Sequence, residues 1–239
     1  IYMDKIITIN NYKFVFNNDK NAKITQVDAY INNGCIFEDK SNVGISHLLE
    51  HVIMDSWKKC NEGCNDYWKK RGIISNAYTG MTYVNYFIRG LEKYTNEMLD
   101  YILSICISPS INDKRIKKEK NAVLNELLIN DSHPNIKAYN LLNKLLFNNE
   151  GLILQDDIKL QIENLKILDK KQLVDWTNKY YSQGNIIFII NGNFNKKKII
   201  NIIKRKTANV KNIKCITPPH DIFSKSFKLK YVKGKTKNT

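Results

Sequence analysis

A chain of 239 residues with 43% hydrophobic and 26% charged residues has the apolar content to bury a real core, in one large domain or two small ones. Its formal charge of +15 is mostly lysine spread along the chain, with short runs at 115–120 and 196–198, and so describes a solvated surface better than a nucleic-acid site. No apolar run approaches the roughly 20 residues needed to cross a bilayer, and the first residues, Ile1-Tyr2-Met3-Asp4-Lys5, lack the apolar stretch of a signal peptide.

In chain order, residues 6–9 and 12–16 alternate as strands around Asn10-Asn11, a hairpin signal. A third strand is expected at 24–31, ended by Asn33-Gly34. A helix then runs from about 43 to 60, and a short one spans 66–71 before Gly72. Residues 75–90 are rich in Tyr, Thr, Val and Ile and read as one or two strands. Apolar residues at helical spacing mark 97–107, which Pro109 stops. Asn112 or Asp113 can cap a long helix reaching about 129, and Ser132 can cap another that starts at Pro134 and reaches about 147. Helix is expected again at 170–181 and 195–204, around a continuous apolar strand at 186–190. Residues 207–223, with Pro218-Pro219, read as a connector, and 226–232 as a last strand. There is no internal repeat. This order predicts an α+β fold, a mixed or largely antiparallel sheet packed against several helices. The expected division is one unit over 1–205, with 206–239 a connector and the start of a following region.

The five cysteines are odd in number and irregular in spacing; Cys60-x-x-x-Cys64 has no second pair to make a zinc knuckle, so free thiols in a reducing compartment are expected. The chemistry-bearing stretch is His47-Leu48-Leu49-Glu50-His51. Positions i, i+3 and i+4 share one face of a helix, so both imidazoles and the carboxylate would meet in a volume that suits a metal ion and the water it activates. The plainer alternative is a polar stripe in which Glu50 pairs with a lysine. A zinc site needs a third protein ligand and an open fourth position. The helix after Asn112 carries Glu119 and Glu126 two turns apart on one face: one can bind metal while the other orients a ligand, or Glu119 can simply pair within the Lys117, Lys118, Lys120 cluster. His133 and His220, beside prolines, are expected to be loop residues, and Asn76 can be read as a turn residue.

Together these motifs resemble the N-terminal half of the pitrilysin/insulysin-type zinc peptidases, the inverzincins that include the mitochondrial processing peptidases. The family's H-x-x-E-H matches His47 to His51. Its distal glutamate, with another seven residues before it, matches Glu126 and Glu119. Its Asn-Ala-x-Thr strand matches Asn76-Ala77-Tyr78-Thr79, its glycine-ended apolar strand the run from Ile186 to Gly192, and its Gly-x-x-x-Glu the run from Gly34 to Glu38. The matches fall in order along nearly the whole chain. Similar proteins occur in some large DNA viruses, a source that the Lys, Asn and Ile bias would suit.

The resemblance implies the family's half-domain fold and one Zn²⁺ per chain held by His47, His51 and Glu126, with Glu50 moving protons for the attacking water and Glu119 supporting the site. It also implies that Asn76 and Ala77 bind a peptide added to the sheet edge, while Tyr78 and Thr79 only pack. Active members enclose a chamber between two such halves, so the second would come from the same polypeptide, a second copy or a partner subunit. The function implied is a zinc endopeptidase for peptides or unfolded segments; the alternative is a non-catalytic structural or assembly subunit. No membrane and no specific nucleic acid is an expected partner. The expected compartment is reducing and intracellular (cytoplasm, or virion and replication site), with the mitochondrion second.

Overall fold

The computed structural model describes residues 6–60, 63–208, 215–220 and 222–224. Strands β1 (Ile7–Ile9) and β2 (Tyr12–Asn18) form the expected hairpin. Its turn residues Asn10 and Asn11 both have positive φ, 48° and 65°, a conformation asparagine tolerates and one whose twist matches the flanking strands. With β3 (Ile24–Ile31), β4 (Ile74–Thr79), β5 (Val84–Leu91) and β6 (Ile186–Gly192) they build one six-stranded sheet in the order β1-β2-β6-β3-β5-β4. Every pairing is antiparallel except β2 with β6, so the sheet is mixed and largely antiparallel as expected.

Alternation along the strands sorts the two faces. Phe14 and Phe16 on β2, Val27, Ala29 and Ile31 on β3, Tyr86 and Ile88 on β5, and Phe188 and Ile190 on β6 are all buried on one side. Helices cover that side: α1 (Ile45–Met54), α3 (Thr95–Ile107) and, against α3 and β1, α9 (Lys196–Thr207). Met98, Leu99, Ile102 and Leu103 of α3 are fully buried. The Tyr181 hydroxyl, just past α8 (Lys170–Tyr180), meets that of Tyr86 at 2.8 Å. The long helix α4 (Asp113–Ser132), capped by Asn112 accepting the Arg115 amide, lies against α1 and α7 (Ile158–Ile167).

Several boundaries differ from expectation. α1 stops at Met54, not near residue 60, because Asp55 leaves the helix: its carboxylate accepts the Cys64 amide and the Lys118 ammonium, each at 2.9 Å. Trp57 then stacks on Trp68 of α2 (Cys64–Lys69), ring centroids 5.2 Å apart. The same fold-back brings Cys60 and Cys64 into a disulfide, Cα atoms 4.9 Å apart, where free thiols were expected; Cys35, Cys106 and Cys215 are free. α4 runs through Ser132, so His133 is the N-cap residue of α5 (Pro134–Leu146). α6 (Glu150–Leu154) and α7 were not expected; Asn149 and Asp157 cap them by accepting the Leu152 and Leu160 amides. Part of the expected connector folds back, and Phe223 forms an antiparallel bridge to Phe147. The expected strand at 226–232 lies outside the described residues.

The start of α1 is set from outside the helix. Gly44, at φ +93°, turns the chain into α1 and offers no capping side chain. The buried Glu38 carboxylate takes that place, accepting the Gly44 and Ser46 amides at 2.9 Å each and the Gln155 amide at 2.9 Å. A Cβ on Gly151 of α6 would collide with the carbonyls of Cys35 and Glu38, so only glycine lets α6 seat on this turn.

Candidate active site

α1 and α4 lie side by side with His47 and His51 on one and Glu119 and Glu126 on the other. The Nε2 atoms of His47 and His51 are 3.3 Å apart, and Glu126 Oε2 is 3.6 Å from the first and 3.5 Å from the second. A tetrahedral zinc with bonds near 2.1 Å has ligand–ligand edges of about 3.4 Å. These three donors form a triangle of that size, and two imidazoles with one carboxylate are a donor set that zinc favours.

The far nitrogen of the His51 ring, Nδ1, faces Glu119 Oε2 at 3.5 Å. Glu119 Oε1 accepts from Lys118 at 3.0 Å, and Lys118 also meets Asp55. Burial opposes charging of His51, but Glu119, Glu126 and Glu50 outweigh it and lift its pKa to about 9. His47 goes the other way: burial, then the neighbouring His51, lower it to about 4 against the pull of Glu126. Burial also opposes charging of Glu119, yet His51 and Lys118 hold its carboxyl below the usual range.

Glu50 is buried at 8% exposure, and burial raises its pKa. Its Oε2 accepts the Thr79 hydroxyl at 2.6 Å, which works against that rise. Thr79 ends β4, the sheet's last strand, which forms one wall of a cleft of about 690 Å³ containing the triangle. The Gly80 amide donates to Tyr83, fixing which backbone groups face β5. By alternation, the N–H and C=O groups of Ser75, Ala77 and Thr79 face the unpaired edge. The Ala77 amide there is held by its neighbour's side chain, Asn76 Oδ1, at 2.9 Å.

The family model described as insulinase (Peptidase family M16) matches residues 13–155. The chain belongs to the M16 peptidase family. Curated relatives of this M16 chain include the beta subunit of mitochondrial-processing peptidase from Dictyostelium discoideum, 23% identical over 87% of this chain and 44% of the relative. The uncharacterized zinc protease YmxG of Bacillus subtilis is 25% identical over 82% of this chain and 47% of its own. Cytochrome b-c1 complex subunit 1 of Mus musculus is 22% identical over 78% and 39%. A solved protease from Helicobacter pylori shares the fold at TM-score 0.75 and 20% identity, covering 93% of this chain and 54% of that one. The M16 chain thus spans less than half the length of these curated relatives.

All of the expected site residues gather in one cleft: His47, Glu50, His51, Glu119 and Glu126 around the triangle, Asn76 and Ala77 along the edge strand. His133 and His220 lie outside it, as expected. Three features went unforeseen. Thr79, expected only to pack, bonds Glu50; Glu38 caps the helix that carries both histidines; and Lys118 links Glu119 to Asp55. The Asn-Ala-x-Thr and Gly-x-x-x-Glu patterns flagged the first two positions without showing what they touch.

Proposed function

We propose that this chain is the zinc-bearing half of an endopeptidase that hydrolyses peptides or unfolded segments. The observation that carries it is the triangle of His47 Nε2, His51 Nε2 and Glu126 Oε2, sized for one zinc and set beside a buried glutamate at an open strand edge. The family, and the relative named as a zinc protease, support the same chemistry.

In this proposal His47, His51 and Glu126 hold one zinc per chain, which when bound polarises the scissile carbonyl and brings the pKa of its water to about 7. The outward backbone groups of Ser75, Ala77 and Thr79, with the Asn76 side chain, hold an extended substrate as an added strand, largely independently of its sequence. Glu50 takes a proton from the attacking water and delivers it to the amine nitrogen as the C–N bond breaks. Glu119 keeps a proton on His51 Nδ1, leaving Nε2 for the metal. In this reading 1–205 is the catalytic half and 206–239 a connector and the start of a following region, with Phe223 of the connector bridged back to Phe147. Two of the relatives are named as subunits, which supports a second M16 half as partner, in the same polypeptide, a second copy or another chain. Their mitochondrial names favour that compartment over the cytoplasm.

The test is peptide cleavage by the zinc-loaded protein beside its Glu50→Gln variant. The variant should keep one zinc per chain and lose about 10²- to 10⁴-fold in rate. Equal rates would refute the mechanism. The cytochrome b-c1 relative favours one other reading, an assembly subunit of the same fold; zinc binding with no cleavage by the parent would select it.

A further inference from the structure

We propose that Thr79 positions Glu50: it ties one carboxylate oxygen to the end of the edge strand and so keeps the glutamate from closing onto the His47–His51–Glu126 cluster as a fourth ligand. This rests on the zinc-peptidase reading above. Glu50 lies between the two histidines on the same helix face and is buried, so little solvent competes for its oxygens. A glutamate has three rotatable bonds, and a free carboxylate beside a zinc site is itself a good ligand. Were it to occupy the open position, the water to be activated would have no place. The restraint comes from outside α1, across the cleft, in the 2.6 Å bond of the Thr79 hydroxyl to Oε2.

Thr79 is well built for the task. Its β-branch leaves few χ1 choices, so the hydroxyl is aimed rather than searching. Its backbone is fixed by pairing with Val84 and by the adjacent Gly80–Tyr83 bond. The hydroxyl bond engages Oε2, which leaves the other oxygen, Oε1, as the one proposed to carry the proton. Because Thr79 also belongs to the open edge, docking of a peptide strand and the aim of Glu50 share one rigid element. The plainer account, that the hydroxyl only satisfies a buried carboxylate, predicts a change in stability and nothing at the metal.

The experiment uses Thr79→Val, which keeps the shape and removes the donor, and Thr79→Ser, which restores it; Thr79→Ala replaces valine if that variant unfolds. With Co²⁺ in place of zinc, Thr79→Val should shift the visible d–d spectrum as Glu50 enters the coordination sphere, and Thr79→Ser should restore the parent spectrum. Cleavage of an unstructured fluorogenic peptide by the zinc-loaded protein should fall at least about tenfold in kcat, with KM within about twofold, and recover in the serine variant. A Thr79→Val spectrum identical to the parent overturns the inference. A shifted spectrum in a protein whose Glu50→Gln variant cleaves as fast as the parent leaves Thr79 in its role and ends the peptidase mechanism instead.

Discussion

At the scale of single residues, the two histidines are pushed apart in pKa by their surroundings, and this sets a pH signature for the metal-free protein. Folded His51, raised to about 9, keeps a proton that the unfolded chain releases near 6.5. Its stabilising contribution is therefore complete below 6.5 and declines as pH rises through 9. Folded His47, lowered to about 4, refuses a proton that the unfolded chain takes up near 6.5, so stability also falls as pH drops from 6.5 to 4. The urea midpoint of chelator-treated protein should peak around pH 6.5, and His51→Gln should flatten the alkaline side and, by relieving part of the pressure on His47, soften the acid side as well; an undiminished alkaline decline in that variant would contradict the assignment. The pair was legible in the sequence because a helix converts a four-residue spacing into a shared face. Glu38 was legible only as a letter in a pattern, since its meaning depends on where the turn at 35–37 places it beneath α1. Glu38→Ala strips the Gly44 and Ser46 amides of their acceptor and should cost about 2 kcal/mol in denaturant unfolding.

At the scale of elements, strands and long helices were read well where a period ran uninterrupted, as in β3, β5, α3 and α4. The misses are places where one side chain ends or starts an element through a distant partner. Asp55 turns the chain out of α1 to reach Cys64 and Lys118, while α6 and α7 are short and depend on Asn149 and Asp157 as caps. The edge strand β4 carries a prediction of its own. Its outward Ala77 amide is occupied by Asn76 Oδ1, which hides one donor of an otherwise open edge. Asn76→Ala should accelerate hydrogen exchange at the Ala77 amide severalfold while leaving the inward amides of β4, paired with β5, unchanged. If both sets exchange at parental rates, the Asn76 contact is not maintained in solution.

At the scale of the whole molecule, the sheet was predictable in class but not in order, because the insertion of β6 between β2 and β3 joins segments more than 150 residues apart. The triangle of His47, His51 and Glu126 likewise joins α1 to α4, so on the proposed zinc reading the ion should act as a cross-brace. Zinc at about 100 times its dissociation constant should add about 2.7 kcal/mol of stability, or roughly 5–10 °C in Tm for a chain of this size. Glu126→Ala should lose most of that gain, and a parent Tm indifferent to zinc would exclude the brace. The division of the triangle between two helices also bears on how the protein is made. A ribosome delivers both histidines long before Glu126, which lies 75 positions after His51. A nascent chain can thus offer a passing ion the two imidazoles and Glu50 but not Glu126, a set that copper or nickel would occupy as readily as zinc. The third donor of the triangle arrives only when α4 docks, so on the proposed zinc reading the choice of metal waits until the fold is there to make it.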